Sequence, residues 1–348
     1  MNVSRLSLLI SQAEIALPET GRIAVYRARP DSDFSALTVE RTQFANSFRP
    51  FHDRLAAAGF DTVAEIAGEF ALSLVEITRS KTETLGLIAK ALAATSVGGL
   101  VFVDGAKTDG IESALKHCRS LLPIEGSFAK SHGKLFWMTR PNMLPAELDE
   151  WIKQSDFRAN AAGFITAPGM FSPDKIDTGS ALLAAHFDDK LRGRVADLGA
   201  GWGWLAAQTL ALESVSQIDL YEAEATALTA ARLNLTDPRA HFFWTDVAAM
   251  PAGAEYDQVI ANPPFHQGRA AEPAIGIDFI GKAADILKPK GQFWLVANRQ
   301  LPYEAALQIC FGHVKPLQET PHFKIYLASK PRVGSARKAA QDRAISGR

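Results

Sequence analysis

The stretch RVADLGAGWGWLAAQTLALE (194–213) decides what kind of fold the chain adopts. RVADLG (194–199) reads as an apolar strand running into a glycine turn, and LAAQTLALE (205–213) as a helix. Asp197 ends the strand; Gly199, Gly201 and Gly203 follow in alternation, with Ala200 and Trp202 between them. Glycines permit a sharp turn and a close approach to a ligand, and the helix that follows offers free N–H groups at its start. A dinucleotide fingerprint requires Gly-x-Gly-x-x-Gly. Here Trp204 follows Gly201-Trp202-Gly203, and an acid stands two residues before the first glycine. That pattern suits the nucleoside part of S-adenosylmethionine better than a pyrophosphate; the alternative is a structural turn that holds nothing.

Strand-like and helical patterns alternate downstream. SQIDLYEA (216–223), HFFWTDV (241–247), DQVIANPP (257–264), GQFWLVAN (291–298) and FKIYLAS (323–329) read as strands with their loops. TALTAARLNL (226–235), FIGKAADILK (279–288) and YEAALQICF (303–311) read as helices. The alternation predicts an α/β fold, a mostly parallel seven-stranded sheet covered by helices, with an antiparallel strand near the C-terminus. Glu222 falls where the second strand ends, about 20 residues after the glycines, where an acid can accept both ribose hydroxyl hydrogens. Asp219, which points to a sheet face, and Glu224, past the strand end, are its rivals. Asp246 ends the third strand and is a candidate for the adenine amino group, although a strand-end Asp also serves turns.

VIANPPFHQG (259–268) is the most specific stretch. It ends the fourth strand, at the carboxyl edge where open α/β sheets bind ligands, and its prolines stiffen the loop. The amide of Asn262 and the carbonyl of Pro263 can each accept one hydrogen from an exocyclic amine, which turns the nitrogen lone pair toward a methyl sulfonium. Such an amine is a poor nucleophile, so orientation supplies much of the rate. Phe265 offers a face for stacking the base, and the base must be flipped or single-stranded to be reached. His266 is open between a substrate contact and a loop-stabilising role. An ordinary tight turn is the plain alternative for the whole stretch.

Upstream, KALAATSVGGLVFVDGAKTDGIESALKHC (90–118) lies over KAADILKPKGQFWLVANRQLPYEAALQIC (282–310), with Lys90, Gly99, Glu112, Ala114, Leu115 and Cys118 meeting identical residues. HGKLFWMT (132–139) echoes HFKIYLAS (322–329). We expect a duplicated Rossmann-like fold: residues 1–150 a degenerate copy without glycine turn or Asn-Pro-Pro, 160–330 the catalytic copy, and 331–348 a basic flexible tail with Arg332, Arg337, Lys338, Arg343 and Arg348 against Asp342.

The 348 residues are 47% hydrophobic and 22% charged with net charge −1, so the composition is globular and any RNA contact must come from local basic patches. Cys118 and Cys310 end apolar helical stretches and read as buried hydrophobes, with no metal spacing and no disulfide framework. No metal is expected. No apolar run reaches bilayer length, and the N-terminal MNVSRLSLLISQAEIAL reads as a helix rather than a signal peptide. A cytoplasmic monomer without membrane contact is the expectation.

On Asn-Pro-Pro-Phe-His, the glycine turn, APGMFSPDKIDTGSALL (167–183), VANRQLPYEAAL (296–307) and FKIYLAS (323–329), the chain resembles the bacterial ribosomal RNA guanine-N2 methyltransferases. The resemblance covers nearly all of the chain and is strongest over about 165–329. It implies two tandem class I methyltransferase domains, of which only the second binds S-adenosylmethionine, acting on small-subunit 16S rRNA or, in a sister group, the large subunit. It places Phe171, Ser172, Asp177 and Gly179 in the segment that covers the cofactor. The residues alone give 167–183 only as a polar, glycine-containing loop before a helix. The first copy has something like ITRSKTE (77–83) where Asn-Pro-Pro is expected, and Arg79, Lys81 and Lys107 are candidates for RNA contact or simply a solvated face. Transfer to adenine N6 or a protein glutamine amide, and a non-enzymatic RNA-binding factor on a dead fold, are the competing readings.

Overall fold

A computed structural model of the chain describes residues 4–12, 15–253, 255–264, 273–332 and 334. Its contacts divide into two compact units: Met1–Arg158 with Ala167–Gly169, and Ala159–Thr166 with Met170–Arg348.

The first unit carries β1 (Ile23–Tyr26), β2 (Thr42–Ala45), β3 (Asp61–Val63), β4 (Phe70–Glu76), β5 (Thr95–Ala106), β6 (Gly126–Lys130) and β7 (Gly133–Thr139). They form one sheet in the order β3-β2-β1-β4-β5-β7-β6. β7 runs antiparallel to β5 and β6, and the other pairings are parallel. Its helices are α1 (Arg5–Ser11), α2 (Arg49–Ala57), α3 (Lys81–Ala94), α4 (Ile111–Leu121) and α5 (Glu147–Ser155). Next along the chain come the short strands β8 (Arg158–Ala159) and β9 (Ile165–Thr166).

The second unit has α6 (Thr178–Ala184), β10 (Gly193–Leu198), α7 (Trp204–Leu210), β11 (Val215–Glu222), α8 (Ala225–Asn234), β12 (Ala240–Trp244) and β13 (Tyr256–Ala261). It closes with α9 (Pro273–Ile286), β14 (Leu287–Asn298), α10 (Tyr303–Cys310), β15 (Phe311–Glu319) and β16 (Phe323–Pro331). The order β12-β11-β10-β13-β14-β16-β15 repeats that of the first sheet strand for strand, with β16 antiparallel to β14 and β15. The central strands bury adjacent apolar residues because both faces are covered. Val195, Ile260, Trp294 and Val296 enter one apolar cluster, while their neighbours Ala196, Val259, Phe293 and Leu295 enter the other. Cys118 and Cys310 are buried at equivalent helix ends, and burial pushes the Cys118 thiol up to about 12.

The strands and helices anticipated from 194 onward are present, and the antiparallel β16 is where the spacing put it. β15 has no counterpart in the sequence reading. Its segment FGHVKPLQE lacks apolar alternation and is interrupted by Pro316, which an edge strand tolerates because one side of its backbone has no partner to bond. The N-terminal helix covers only Arg5–Ser11, with Ser4 Oγ accepting from Ser7 N at 3.0 Å. β16 runs on to Pro331, and Arg332 N donates to Cys310 O at 2.8 Å, so the first two residues of the expected tail are bonded to the folded unit. Residues 335–348 lie outside the described residues.

The repeat extends to irregularities. In the first sheet the register slips between Phe70↔Thr95 and Leu72↔Leu100; in the second it slips between Tyr256↔Leu287 and Gln258↔Gln292. The glycines matched by sequence sit in these two bulges. A Cβ on Gly99 would lie 2.5 Å from Ala71 O, and one on Gly291 2.7 Å from Leu287 Cδ2 and 3.1 Å from Asp257 O. The matched glutamates pair alike, Glu112 with Lys134 at 2.8 Å and Glu304 with Lys324 at 2.5 Å. A Cβ on Gly99 must push backbone apart, and one on Gly291 must displace the Leu287 side chain and crowd two carbonyls. Gly99→Ala and Gly291→Ala are therefore each expected to lower stability by about 1–3 kcal/mol in urea unfolding.

Candidate active site

Register assembles the site. Leu198, the last residue of β10, pairs with Tyr221 of β11 and Ala261 of β13. The residues just past these, Gly199, Glu222 and Asn262, thus come level at one edge of the sheet. β10 and β13 flank the point where strand order reverses, the place where such sheets bind ligands. Asp246 lies two residues beyond Trp244, the partner of Glu222.

The glycine loop folds back on β11. Gly199 N and Ala200 N both donate to Tyr221 O, at 2.8 and 3.1 Å. Gly201 has φ 56° and open space where a Cβ would stand, whereas a Cβ on Gly203 (φ 89°) would be 3.0 Å from Leu235 and 3.2 Å from Ala231 of α8. Gly203 thus serves helix packing, and Gly201 leaves bare backbone facing a void.

Asp197 is fully buried and neither carboxylate oxygen has a hydrogen-bond partner. Burial, helped by the charge of Glu222, pushes its pKa up to about 8. Glu222 is also raised, chiefly by burial. Its Oε2 accepts from Gly201 N and its Oε1 from Glu224 N, both at 2.8 Å, so the carboxylate is anchored by the loop it faces. Of its rivals, Asp219 is buried in a separate network with Arg194 (2.7 Å), Gln217 (2.7 Å) and Tyr256 (2.6 Å). Glu224 stands at the N-cap position of α8 without a side-chain capping bond. Asp246 is half-buried, and its Oδ1 accepts from Ala248 N at 2.9 Å, starting a short helical turn.

Asn262 donates Nδ2 to Asp177 Oδ2 and to Ser180 Oγ, both at 2.8 Å. Its Oδ1 is buried and without a partner. Pro263 is buried and Pro264 exposed; Phe265 and His266 lie outside the described residues. Phe171 has an exposed ring (59%) but a pinned backbone, its carbonyl accepting from Trp202 Nε1 at 3.1 Å. Asn234 holds Trp202 and Ile165 through their carbonyls at 2.9 Å. Ser180 and the Trp202 indole were not singled out from sequence. The Asp177-x-x-Ser180 cap at the start of α6 is the signal that marks the first, and no local pattern marks the second.

Matching the two sheets through their bulges gives the first unit's counterparts. Val25 stands for Asp197, Arg27 for Gly199, Arg29 for Gly201, Asn46 for Glu222 and Glu76 for Asn262. The stretch 77–83 begins one residue later, with Ile77 and Thr78 in the positions of the prolines. Glu76 is buried and pushed by that burial to about 7, and it accepts from Arg29 N at 2.6 Å and Ser32 Oγ at 2.5 Å. Arg27 Nε donates to Glu83 Oε1 at 2.9 Å, and Asn46 Nδ2 donates to Ala28 O at 2.7 Å. The polar groups of this edge thus bind one another.

The ribosomal RNA small subunit methyltransferase C of Psychromonas ingrahamii is 31% identical over 288 residues, 78% of this chain and 80% of that protein. The chain belongs to the small subunit methyltransferase C family. The enzyme of that name from Pseudomonas paraeruginosa is 30% identical over 282 residues, 78% of this chain and 82% of its own length. The methyltransferase small domain family matches residues 161–327. The T. thermophilus 16S rRNA N2 guanine methyltransferase, solved in complex with AdoMet and guanosine, superposes with a TM-score of 0.77 at 25% identity, over 90% of each chain.

In this member of the family, Asp197 makes stability depend on pH in a definite direction. With its pKa raised, the folded state keeps a proton that the unfolded chain has released above about pH 4. Stability of the ligand-free protein therefore falls as pH rises toward 8, by at most about 1.4 kcal/mol per unit from this group. Asp197→Asn is expected to flatten that slope and to be more stable than the wild type at pH 8. Urea unfolding at pH 6 and pH 8 checks it.

Proposed function

We propose that this chain transfers a methyl group from S-adenosylmethionine to the exocyclic N2 amine of a guanine in small-subunit 16S rRNA. The observation that carries the reading is Asn262, held at the ligand-binding edge with its amide oxygen buried and unpaired. A buried acceptor without a partner is costly in the free protein unless a donor arrives, and a base amine is such a donor.

The residues at the same edge fit the cofactor. Asp197 needs a cationic or donor ligand for its two unpartnered oxygens, Gly201 leaves open space above the loop, and Glu222 is anchored with acceptor capacity left for ribose hydroxyls. The loop Gly199, Ala200, Gly201 and Gly203 forms the floor, with Asp246 assigned to the adenine end and Phe171 to the cover. The bound cofactor supplies an electrophilic methyl on a sulfonium.

The chain's own contribution is orientation. Asn262 Oδ1 accepts one hydrogen of the amine and the Pro263 carbonyl accepts the other. Together they fix the nitrogen and direct its lone pair, the entropy that an unassisted encounter would have to lose. Phe265 is assigned the stacking face for the base. No thiol takes part, since Cys118 and Cys310 are both buried.

The first unit is assigned to supporting and presenting RNA without binding cofactor. Its equivalent edge supports this, with Val25 where the second unit has Asp197 and with Arg27, Arg29 and Glu76 engaged by their neighbours. Asp177 and Ser180, which bond Asn262, belong to the same unit of one chain, which suits a monomer. No helix among the described residues is long and apolar enough to cross a membrane, and the substrate places the enzyme in the cytoplasm.

Tritium from labelled cofactor should appear in N2-methylguanosine after digestion of small ribosomal subunits assembled with unmodified rRNA; label in N6-methyladenosine would refute the acceptor. Asn262→Ala should lower kcat by about a hundredfold or more while calorimetric cofactor affinity changes little. An equal loss in both would contradict the role given to Asn262.

A further inference from the structure

We infer that Asp177 and Ser180 set the polarity of the Asn262 amide, and are positioning residues for the transfer rather than only parts of the segment that covers the cofactor. A primary amide has two orientations related by a half-turn, and they are opposite in function: one presents an acceptor to the substrate, the other two donors. Only the first can receive a hydrogen from a base amine. The backbone of the Asn-Pro-Pro loop does not choose between them.

The neighbours of Asn262 do choose. A carboxylate accepts hydrogen bonds and does not donate them, so Asp177 Oδ2, 2.8 Å away, takes Nδ2. Ser180 Oγ, also at 2.8 Å, takes the second amide hydrogen. With both hydrogens engaged on one side, Oδ1 is turned the other way, where it is buried and unpartnered. The flipped amide would set its oxygen against the carboxylate and aim two donors at the amine.

Asp177 is itself fixed. It is the N-cap of α6, and the same Oδ2 accepts from Ser180 N at 2.8 Å. Gly179 lies in this turn, where a Cβ would come 3.1 Å from Oδ2 and 3.0 Å from the Phe323 ring. A side chain there would crowd the carboxylate. The start of α6 therefore forms a rigid acceptor pair for one amide.

The inference rests on Asn262 being the acceptor for the amine, and a double-mutant cycle separates the two claims. Asp177→Ser retains an N-cap oxygen but is too short to reach Asn262; Ser180→Ala removes the other acceptor. With tritiated cofactor and small subunits carrying unmodified rRNA, Asp177→Ser should lower kcat by about 30-fold and Ser180→Ala by about 5-fold. Cofactor affinity by calorimetry should stay within about threefold of wild type. In the Asn262→Ala background neither substitution should lower kcat further, because the group they orient is gone. Equal factors in both backgrounds, or a loss confined to cofactor affinity, would overturn the inference and leave Asp177 as a helix cap or a cofactor contact. Full turnover by Asn262→Ala alone would instead overturn the role of Asn262. Should Asp177→Ser melt below the assay temperature, Ser180→Ala carries the same cycle.

Discussion

Parallel pairing of β10 with β11 on one side and β13 on the other is the constraint on which the site depends. Three strands that start far apart in the sequence end level with one another because Leu198 pairs with both Tyr221 and Ala261. A one-residue slip would turn every side chain of a strand to the other face, and the apolar clusters above and below the sheet forbid it. Val195 and Ile260 belong to one cluster and Ala196 and Val259 to the other, so core packing fixes the register. Asp197, Glu222 and Asn262 are polar residues carried to that edge by strands that bury Val195, Ile218, Leu220, Val259 and Ile260 in the core.

The same scaffold appears twice, with opposite polar accounting. In the first unit the edge is closed on itself: Glu76 is bonded to Arg29 and Ser32, Arg27 to Glu83, and Asn46 to Ala28. In the second, Asp197 has two unpartnered oxygens and Asn262 has one. Strand order, bulges and even the Glu–Lys pairs are held in common, so the fold does not distinguish an edge whose polar groups are paired from one whose polar groups are not. The difference lies in whether buried polar groups find partners within the chain.

What the sequence makes legible follows from range. The glycine turn, the acid at the end of β11 and the Asn-Pro-Pro loop are local, each set by a few adjacent residues whose backbone demands are strict. The repeat was readable because bulge glycines and helix-end residues cannot vary freely. β15 was not readable, since an edge strand built on FGHVKPLQE has neither apolar alternation nor freedom from proline. The tie between Asn262 and Asp177 spans 85 residues, and its meaning depends on which amide atom faces which neighbour, information that no spacing rule contains. Likewise the placement of Glu76 opposite Asn262 follows only once the two bulges are superposed in register.

Orientation also explains why the unpartnered atoms of the second unit sit where they do. An Asn whose amide was satisfied on both sides would be stable and useless, because its acceptor would already be occupied. An Asn held on neither side would present donor and acceptor in turn, and half its encounters with an amine would be repulsive. Holding only the nitrogen side leaves a single acceptor of known direction, at the expense of one buried oxygen without a bond in the free protein. Asp197 follows the same logic, since a carboxyl group kept away from water and from partners holds its proton up to about pH 8. Proteins violate the rule of polar satisfaction chiefly where a ligand is meant to restore it. Two such violations, Asp197 and Asn262, stand at one strand edge, and under the proposed function donor and acceptor of the methyl group meet there.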